Sequence, residues 1–216
     1  MGVLRKTLNW YAKLSPSHGR IKPPYEHVVQ IGDPTLRKKS EEVKLDKITT
    51  SETQKTILVL KQVLHKYGSV GMSAPQIGEN IRIFVMRITA KQCKEHSPEI
   101  IKSRNMYEIP LTVYINPKLK IVDYQKIICA EGCESVRSFQ ADVARYKAVE
   151  VSGLNSQGEP ISQIYKGWAA RIAQHEMDHL DGKLYTDIMD RKSLQCVHWD
   201  EVNICKGKMS IPFNPE

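Results

Sequence analysis

The chain has 216 residues, of which 41% are hydrophobic and 26% are charged. These values are typical of a single globular domain, and they exclude collagen-like, fibrous and disordered classes. No uninterrupted apolar run approaches the roughly 20 residues that a membrane-spanning helix needs, so no membrane span is predicted. Five cysteines are an odd number in a chain too long to need disulfide staples, which indicates a reducing compartment with most thiols free.

The net charge of +8 is unevenly distributed along the chain. Residues 1–25 contain five basic residues and no acidic residue. Leu4, Leu8, Tyr11 and Leu14 recur among them at helical spacing, so this segment resembles a mitochondrial presequence; a basic terminus without a targeting role is the alternative. The remaining chain carries 27 basic and 24 acidic residues. It shows no stripe of Lys and Arg with interleaved aromatics, so sequence-specific nucleic-acid binding is not predicted.

The predicted elements begin after a linker at residues 15–24, which is rich in proline. The folded body is expected to begin near Val28. A helix is predicted over residues 52–67, with Ser51 and Gln54 as its capping box and a regular apolar face.

Short β-type runs separated by Gly, Pro and Asn follow this helix. They predict antiparallel strands over residues 81–88, 111–115, 118–123, 145–151 and 161–165. A second helix is predicted over residues 167–181, and Gly182 is placed where a left-handed C-terminal cap would be. The tail from Ile211 contains two prolines, so we expect it to be non-helical and to hang free of the body.

The second predicted helix contains the H-E-x-x-H pattern, His175-Glu176-Met177-Asp178-His179. Four residues rotate a helix by about 400°, so the two imidazoles lie one turn apart on one face and can bind one metal ion. Glu176 lies about 100° from His175, where it can take a proton from water at the metal. A pair of surface histidines is the alternative, which the apolar character of this helix disfavours.

A catalytic zinc-like site needs three protein ligands. The position of the third histidine in a metzincin carries Tyr185, which excludes that class. An acid about twenty residues after the second histidine would indicate a gluzincin-type protease, and Glu201 lies near that distance. Upstream, Cys133 offers a thiolate. We favour Cys133 as the third ligand, with Glu201 as the alternative.

Three segments resemble, in this order, the three motifs of the peptide deformylase family. They are Gly71-Met72-Ser73-Ala74-Pro75-Gln76, Glu131-Gly132-Cys133-Glu134-Ser135 and Gln174-His175-Glu176-Met177-Asp178-His179-Leu180. A further segment, Gly32-Asp33-Pro34-Thr35-Leu36-Arg37, is similar to the N-terminal segment of the family. The resemblance spans about residues 28–190. Glu134, where bacterial members usually carry leucine, resembles the animal mitochondrial branch, which agrees with the basic N-terminal segment.

The resemblance implies removal of the N-formyl group from the N-formylmethionine of nascent polypeptides, with release of formate, in the mitochondrial matrix. A transient contact with the mitochondrial ribosome is expected. The implied fold class is α+β, with antiparallel sheets packed around a central metal-binding helix. The expected organisation is a presequence-like segment at residues 1–25, a catalytic domain at 26–195 and a C-terminal extension at 196–216.

The resemblance also implies roles for individual residues. The implied metal ligands are Cys133, His175 and His179. The metal is one divalent ion, expected to be Fe(II), with Zn(II), Ni(II) or Co(II) able to occupy the same site. The implied catalytic residues are Glu176 as the acid and base, and Gln76 and Glu134, whose side-chain amide and backbone N–H would stabilise a developing negative oxygen.

Substrate methionine needs an apolar pocket, for which the candidates near the motifs are Val70, Gly71, Trp168 and Ile172. Glu131 and Arg145 are expected to form an ion pair behind the metal site.

A departure from the family pattern leaves a second functional class open. Val136-Arg137-Ser138 stands where related sequences tend to have proline and glycine after the valine, which would loosen this loop. A catalytically weak relative that binds formyl-peptides or the ribosome is therefore the alternative to an enzyme. The presence of Glu176 argues against it, because a binding protein would not need this carboxylate.

Overall fold

The computed structural model describes residues 21–215, so most of the presequence-like segment lies outside the described residues. The helices in this range are α1 (Ser51–Lys66), α2 (Ala90–Lys94), α3 (Pro98–Arg104), α4 (Gly167–Leu180) and α5 (Trp199–Ile204). The strands are β1 (Gly71–Ser73), β2 (Ile83–Ile88), β3 (Ile109–Gly132), β4 (Phe139–Leu154), β5 (Pro160–Lys166) and β6 (Gln195–Cys196). None of these helices combines the length and the apolar character needed to cross a membrane.

The strands form one antiparallel sheet in the order β1-β2-β3-β4-β5, and β6 pairs with β4. The register of the long β3–β4 hairpin runs from Ile115 opposite Leu154 to Gly132 opposite Gln140. The turn of this hairpin, residues 133–138, therefore projects from one end of the longest strand pair. The predicted α+β class is confirmed.

Two helices pack against the sheet through different apolar faces. Ile57, Leu60 and Leu64 of α1 are at most 2% exposed and belong to a core that includes residues of β1 and β2. Fully burying each such side chain stabilises the fold by about 1.5–3 kcal/mol. Helix α4 is buried through small residues such as Ala169 and Ala173, so its backbone lies close to the sheet. The H-E-x-x-H helix is therefore held rigidly at the centre of the fold.

The two predicted helices are present, but the cap of the first differs from the prediction. Thr50 precedes the first turn of α1, and Ser51 already lies inside it, so the predicted capping box is wrong. The side-chain amide of Gln54 instead donates to the carbonyls of Ile48 and Ser156. The second helix ends as predicted, because Gly182 adopts a left-handed φ of 72°.

The runs predicted at residues 111–115 and 118–123 are parts of the single strand β3. Asn116 and Pro117, which separate the two predicted strands, lie at a shift in the register between β3 and β4. Asn116 has a φ of 51°, and its side chain exchanges hydrogen bonds of 2.8 and 2.7 Å with the backbone of Val43. Asn116 therefore connects β3 to the N-terminal segment.

The C-terminal tail is non-helical as predicted, but the expectation that it hangs free is wrong. Residues 209–212 line a cavity of about 660 Å³. The carbonyl of Phe213 accepts a hydrogen bond of 3.1 Å from the Tyr67 hydroxyl. The short helices α2, α3 and α5 were not predicted.

Candidate metal centre

The hairpin turn and α4 bring three potential metal ligands together. His175 Nε2 and His179 Nε2 lie 3.2 Å apart, one helical turn from each other along α4. Cys133 stands at the start of the hairpin turn, and its Sγ lies 3.3 Å from His179 Nε2. The three ligand atoms all lie within 4.8 Å of one another. Three predicted ligands therefore converge from two separate parts of the chain.

The spacing and chemistry of these atoms fit a tetrahedral ion. Metal bonds of about 2.0–2.3 Å at tetrahedral angles separate neighbouring ligand atoms by about 3.4–3.6 Å. The distances from His179 Nε2 to His175 Nε2 and to Cys133 Sγ, 3.2 and 3.3 Å, are close to this range. His175 Nδ1 lies 2.7 Å from Glu131 Oε1, so its proton points to Glu131 and the lone pair of Nε2 faces the other two ligands. One thiolate and two imidazoles suit a divalent transition metal.

A buried ion cluster supports His175 from behind. Glu131 is 6% exposed, and its carboxylate pairs with Arg145 at 2.6 Å and with Arg171 at 2.8 Å. The predicted ion pair of Glu131 and Arg145 is confirmed. Arg145 also pairs with Asp178 of α4 at 2.6 Å. Burial alone would raise the pKa of Glu131, but the neighbouring His175 and Arg145 hold that pKa well below its usual range, so Glu131 is an anion.

Arg171 is a member of this cluster that the sequence reasoning missed. Its guanidinium donates to the carbonyls of Val143 at 2.9 Å and Ile127 at 2.7 Å as well as to Glu131. Arg171 thus joins α4 to both strands of the long hairpin. Its position could have indicated this contact, because Arg171 precedes His175 by four residues and therefore lies on the same face of the helix.

Glu176 is buried beside the ligands and lines the cavity. Burial raises its pKa to about 7, although a cation at the adjacent ligands would lower that pKa by favouring the carboxylate. Within residues 21–215, Glu176 Oε2 has no hydrogen-bond partner. A methyl group at Gly71 would overlap Glu176 Oε1, so only glycine fits beside the carboxylate in this position. The arrangement leaves one oxygen of Glu176 able to exchange a proton with a reactant.

The amide of Gln76 is oriented by a neighbouring serine. Gln76 Oε1 accepts hydrogen bonds of 2.9 Å from the Ser73 backbone N–H and 3.0 Å from the Ser73 hydroxyl. The NH₂ group is thereby turned towards Cys133 Sγ at 3.6 Å and Ser135 Oγ at 3.4 Å. Gln76 thus presents a donor on the side of the metal ligands. Ser73 and Ser135, both fully buried, had not been assigned roles from the sequence.

The cleft beside these residues has a volume of about 660 Å³. This size is in the range of pockets for small organic ligands, about 300–1,000 Å³. Its lining includes all four candidate substrate-binding residues, Val70, Gly71, Trp168 and Ile172.

Glu134 also lines the cleft, and its carboxylate pairs with Arg137 at 2.7 Å. Its backbone carbonyl accepts a hydrogen bond of 2.9 Å from Gln30, which the sequence reasoning missed. Gln30 therefore ties the hairpin turn to the N-terminal segment. The loop at Arg137, predicted to be loosened, is held to the N-terminal segment by the bond from Gln30, and the pair of Glu134 and Arg137 lies within the turn.

Glu201, the alternative third ligand, lies outside the ligand group. Its carboxylate is on α5, 2.8 Å from His198 Nδ1, in an exposed pair. Among the described residues, the potential metal-binding group consists of Cys133, His175 and His179. The geometry therefore disfavours a gluzincin-type site.

The fold and the site are those of a metal-dependent hydrolase of the H-E-x-x-H type. The chain belongs to the peptide deformylase family, because the family model for polypeptide deformylase matches residues 25–195. It is 40% identical over 185 residues to the mitochondrial peptide deformylase of Homo sapiens, covering 86% of this chain and 76% of the human protein. It is 36% identical over 198 residues to the chloroplastic peptide deformylase 1A of Solanum lycopersicum, covering 92% of this chain and 70% of that protein.

A solved structure shares the fold. The peptide deformylase of Synechococcus elongatus in complex with actinonin matches with a TM-score of 0.65 and 29% identity, covering 87% of this chain and 91% of that chain. Enzymes of this family remove the N-formyl group from nascent peptides, and this chain is such an enzyme.

Proposed function

We propose that the chain removes the formyl group from N-formylmethionine at the start of nascent polypeptides in the mitochondrial matrix, releasing formate. The observation that carries this proposal is the convergence of Cys133, His175 and His179 beside Glu176 at an apolar cleft. The mitochondrial location is supported by the basic composition of residues 1–25 and by the name of the human relative. Because the substrate emerges from a ribosome, a transient contact with the mitochondrial ribosome is part of the proposal.

One divalent ion, Fe(II) under cellular conditions, would be held by Cys133, His175 and His179, and Zn(II), Ni(II) or Co(II) would fit the same ligands. Such an ion polarises a carbonyl oxygen and lowers the pKa of water. The contribution of the protein is to fix the three ligands through the hairpin turn, α4 and the hydrogen bond from His175 to Glu131.

Glu176 would move the protons of the reaction. It accepts a proton from the attacking water as the water oxygen bonds to the formyl carbon, and it then delivers that proton to the amine as the C–N bond breaks. The Gln76 amide and the backbone N–H of Glu134 would donate to the formyl oxygen as it becomes negative. Formate and a free N-terminal methionine are the products.

The methionine side chain would pack against Val70, Trp168 and Ile172, with Gly71 allowing the substrate backbone to approach Glu176. The proposed catalytic domain is residues 26–195, with residues 196–216 as a C-terminal extension. Residues 197, 198 and 209–212 nevertheless line the cleft, so the extension is also involved in forming it.

The proposed reaction can be tested by measuring formate release from formyl-Met-Ala-Ser. The protein should be loaded with Fe(II) in the absence of oxygen, and Glu176→Gln, which keeps the shape of the side chain, is the matched control. We expect turnover by the unaltered chain and almost none by the variant at equal metal content. Failure of the unaltered chain to release formate above the low level expected of the variant would favour the binding-protein alternative.

The ligand set is tested by metal content. Cys133→Ala should lose bound metal, whereas Glu201→Ala should retain about one ion per chain. Loss of metal only in Glu201→Ala would reject the proposed ligands and favour the protease alternative.

A further inference from the structure

The C-terminal extension folds back onto the cleft. Strand β6 pairs with the first residues of β4, and the backbone N–H of Val197 donates a hydrogen bond of 2.9 Å to the Ser138 carbonyl. Helix α5 follows, and the chain then turns at Lys206 and Gly207, which have φ values of 54° and 76°. This turn directs the last residues to the mouth of the cleft.

The segment after this turn presents apolar side chains to the cleft. Met209 and Ile211 are half-buried, and Ser210 between them is exposed. Met209, Ser210, Ile211 and Pro212 all line the cavity that contains Cys133 and Glu176, and three of these four residues are apolar. The tail is therefore one side of the same cleft.

Tyr67 fixes this tail to the body of the enzyme. Its hydroxyl donates to the Phe213 carbonyl at 3.1 Å and accepts from the Val28 backbone N–H at 3.1 Å. The guanidinium of Arg137 lies 5.8 Å from the centre of the Tyr67 ring, and Arg137 also pairs with Glu134. The tail is thus connected, through two side chains, to the turn that carries the metal-binding cysteine.

We propose that residues 209–212 form a wall of the substrate cleft that contacts the residues following formylmethionine and favours apolar side chains there. This inference rests on the proposed function, because the reaction fixes the formyl end of the substrate at the metal ligands. The proposed methionine contacts are Val70, Trp168 and Ile172, and the tail lines another part of the same cleft, so it would meet the peptide beyond methionine. The tail also lies outside residues 25–195, the part that the family model matches.

The test compares the full chain with a variant that ends at Lys208 on three substrates, formyl-Met-amide, formyl-Met-Leu-Ser and formyl-Met-Asp-Ser. Both proteins are loaded with the same metal. We expect the truncation to raise KM for formyl-Met-Leu-Ser by about fivefold to tenfold with kcat nearly unchanged, because an apolar contact is lost. Turnover of formyl-Met-amide should stay within about twofold, since this substrate does not reach the wall.

A point variant tests the same wall without shortening the chain. Ile211→Asp places a carboxylate on the cleft side of the tail, and Asn214→Asp adds the same charge at an exposed position outside the cavity lining. We expect Ile211→Asp, but not Asn214→Asp, to raise KM for formyl-Met-Leu-Ser relative to formyl-Met-amide. Thermal unfolding of both variants controls for folding.

Three outcomes would overturn the inference. Unchanged kinetics in both the truncation and Ile211→Asp would show that substrate does not touch the tail. A higher kcat/KM for every substrate after truncation would show that the tail obstructs the cleft. An equal loss on all three substrates would show that the tail only supports the fold. By contrast, failure of the metal-loaded full chain to release formate from any substrate would reject the proposed function itself.

Discussion

The carboxylate of Glu131 joins a candidate metal ligand to a buried arginine: its Oε1 lies 2.7 Å from His175 Nδ1, and its Oε2 lies 2.8 Å from Arg171 Nη1. The orientation of His175 is therefore coupled to the ion cluster that joins α4 to the hairpin. A change in Glu131 should affect both the metal site and the stability of the fold.

We expect Glu131→Gln to lower the free energy of unfolding by about 3–5 kcal/mol, because it removes the carboxylate of buried Arg171 and leaves Arg145 paired with Asp178 alone. It should also weaken metal affinity by about 10–100-fold, because His175 loses its charged hydrogen-bond partner. Denaturant unfolding and a metal titration measure the two effects. Glu201→Gln is the control, since Glu201 also pairs with a histidine but is 56% exposed; it should cost less than about 1 kcal/mol. Similar losses for the two variants would contradict the role of the buried cluster.

A second prediction concerns Gly71, where a methyl group would overlap both Glu176 and Ile172. Gly71→Ala should displace the Glu176 carboxylate and lower kcat/KM by about 100-fold, since a shift of about 1 Å at a reacting group has an effect of this size. Metal content should remain near that of the unaltered chain, because the three ligands come from other elements. Steady-state kinetics together with a metal assay would check this; full activity in Gly71→Ala would show that Glu176 need not occupy its observed position.

A third prediction follows from the orientation of Gln76 by Ser73. Gln76→Ala should lower kcat by about 10²–10³-fold if its amide donates to the developing negative oxygen. Ser73→Ala should have a smaller effect in the same direction, because the amide remains but loses one of the bonds that orient it. Formate release at saturating substrate measures both. An effect on KM alone would assign Gln76 to substrate binding.

A fourth prediction concerns the pair of Glu134 and Arg137, which are 30% and 23% exposed and lie 2.7 Å apart at the cleft. Arg137→Ala should leave an unpaired carboxylate beside the substrate path and lower kcat/KM by about fivefold, a change of about 1 kcal/mol. Adding Glu134→Leu should restore most of this loss. The four proteins form a double-mutant cycle, and strictly additive effects would show that the pair does not act as a unit.

The sequence was sufficient for the parts of the site that depend on local spacing. His175, Glu176 and His179 follow from helical periodicity, and the second helix ends at Gly182 as predicted. The convergence of Cys133 on these residues required the motif order, because periodicity does not report on distant contacts.

The contacts missed in the sequence are long-range ones. In the sequence, Arg171 cannot be distinguished from a surface cation, because its burial depends on a contact with the distant hairpin. Gln30 and Glu134, which are hydrogen-bonded, are 104 residues apart. The single strand β3 was divided at Asn116 because a turn-forming residue and a residue at a register shift are alike in sequence; only the contact with Val43 distinguishes them. The prediction that the tail hangs free was wrong for a similar reason. Its prolines exclude a helix, but they do not exclude packing against the cleft.

The ligand atoms of Cys133 and His179 are separated by 46 residues, one on the turn of a hairpin and the other near the end of the last long helix. Cys133 is synthesised 46 residues before His179, so the three ligands cannot hold one ion together until both strands have paired and α4 has docked on them. Acquisition of the ion is therefore a late event in the life of a new chain, and a molecule that retains its ion has already completed its fold.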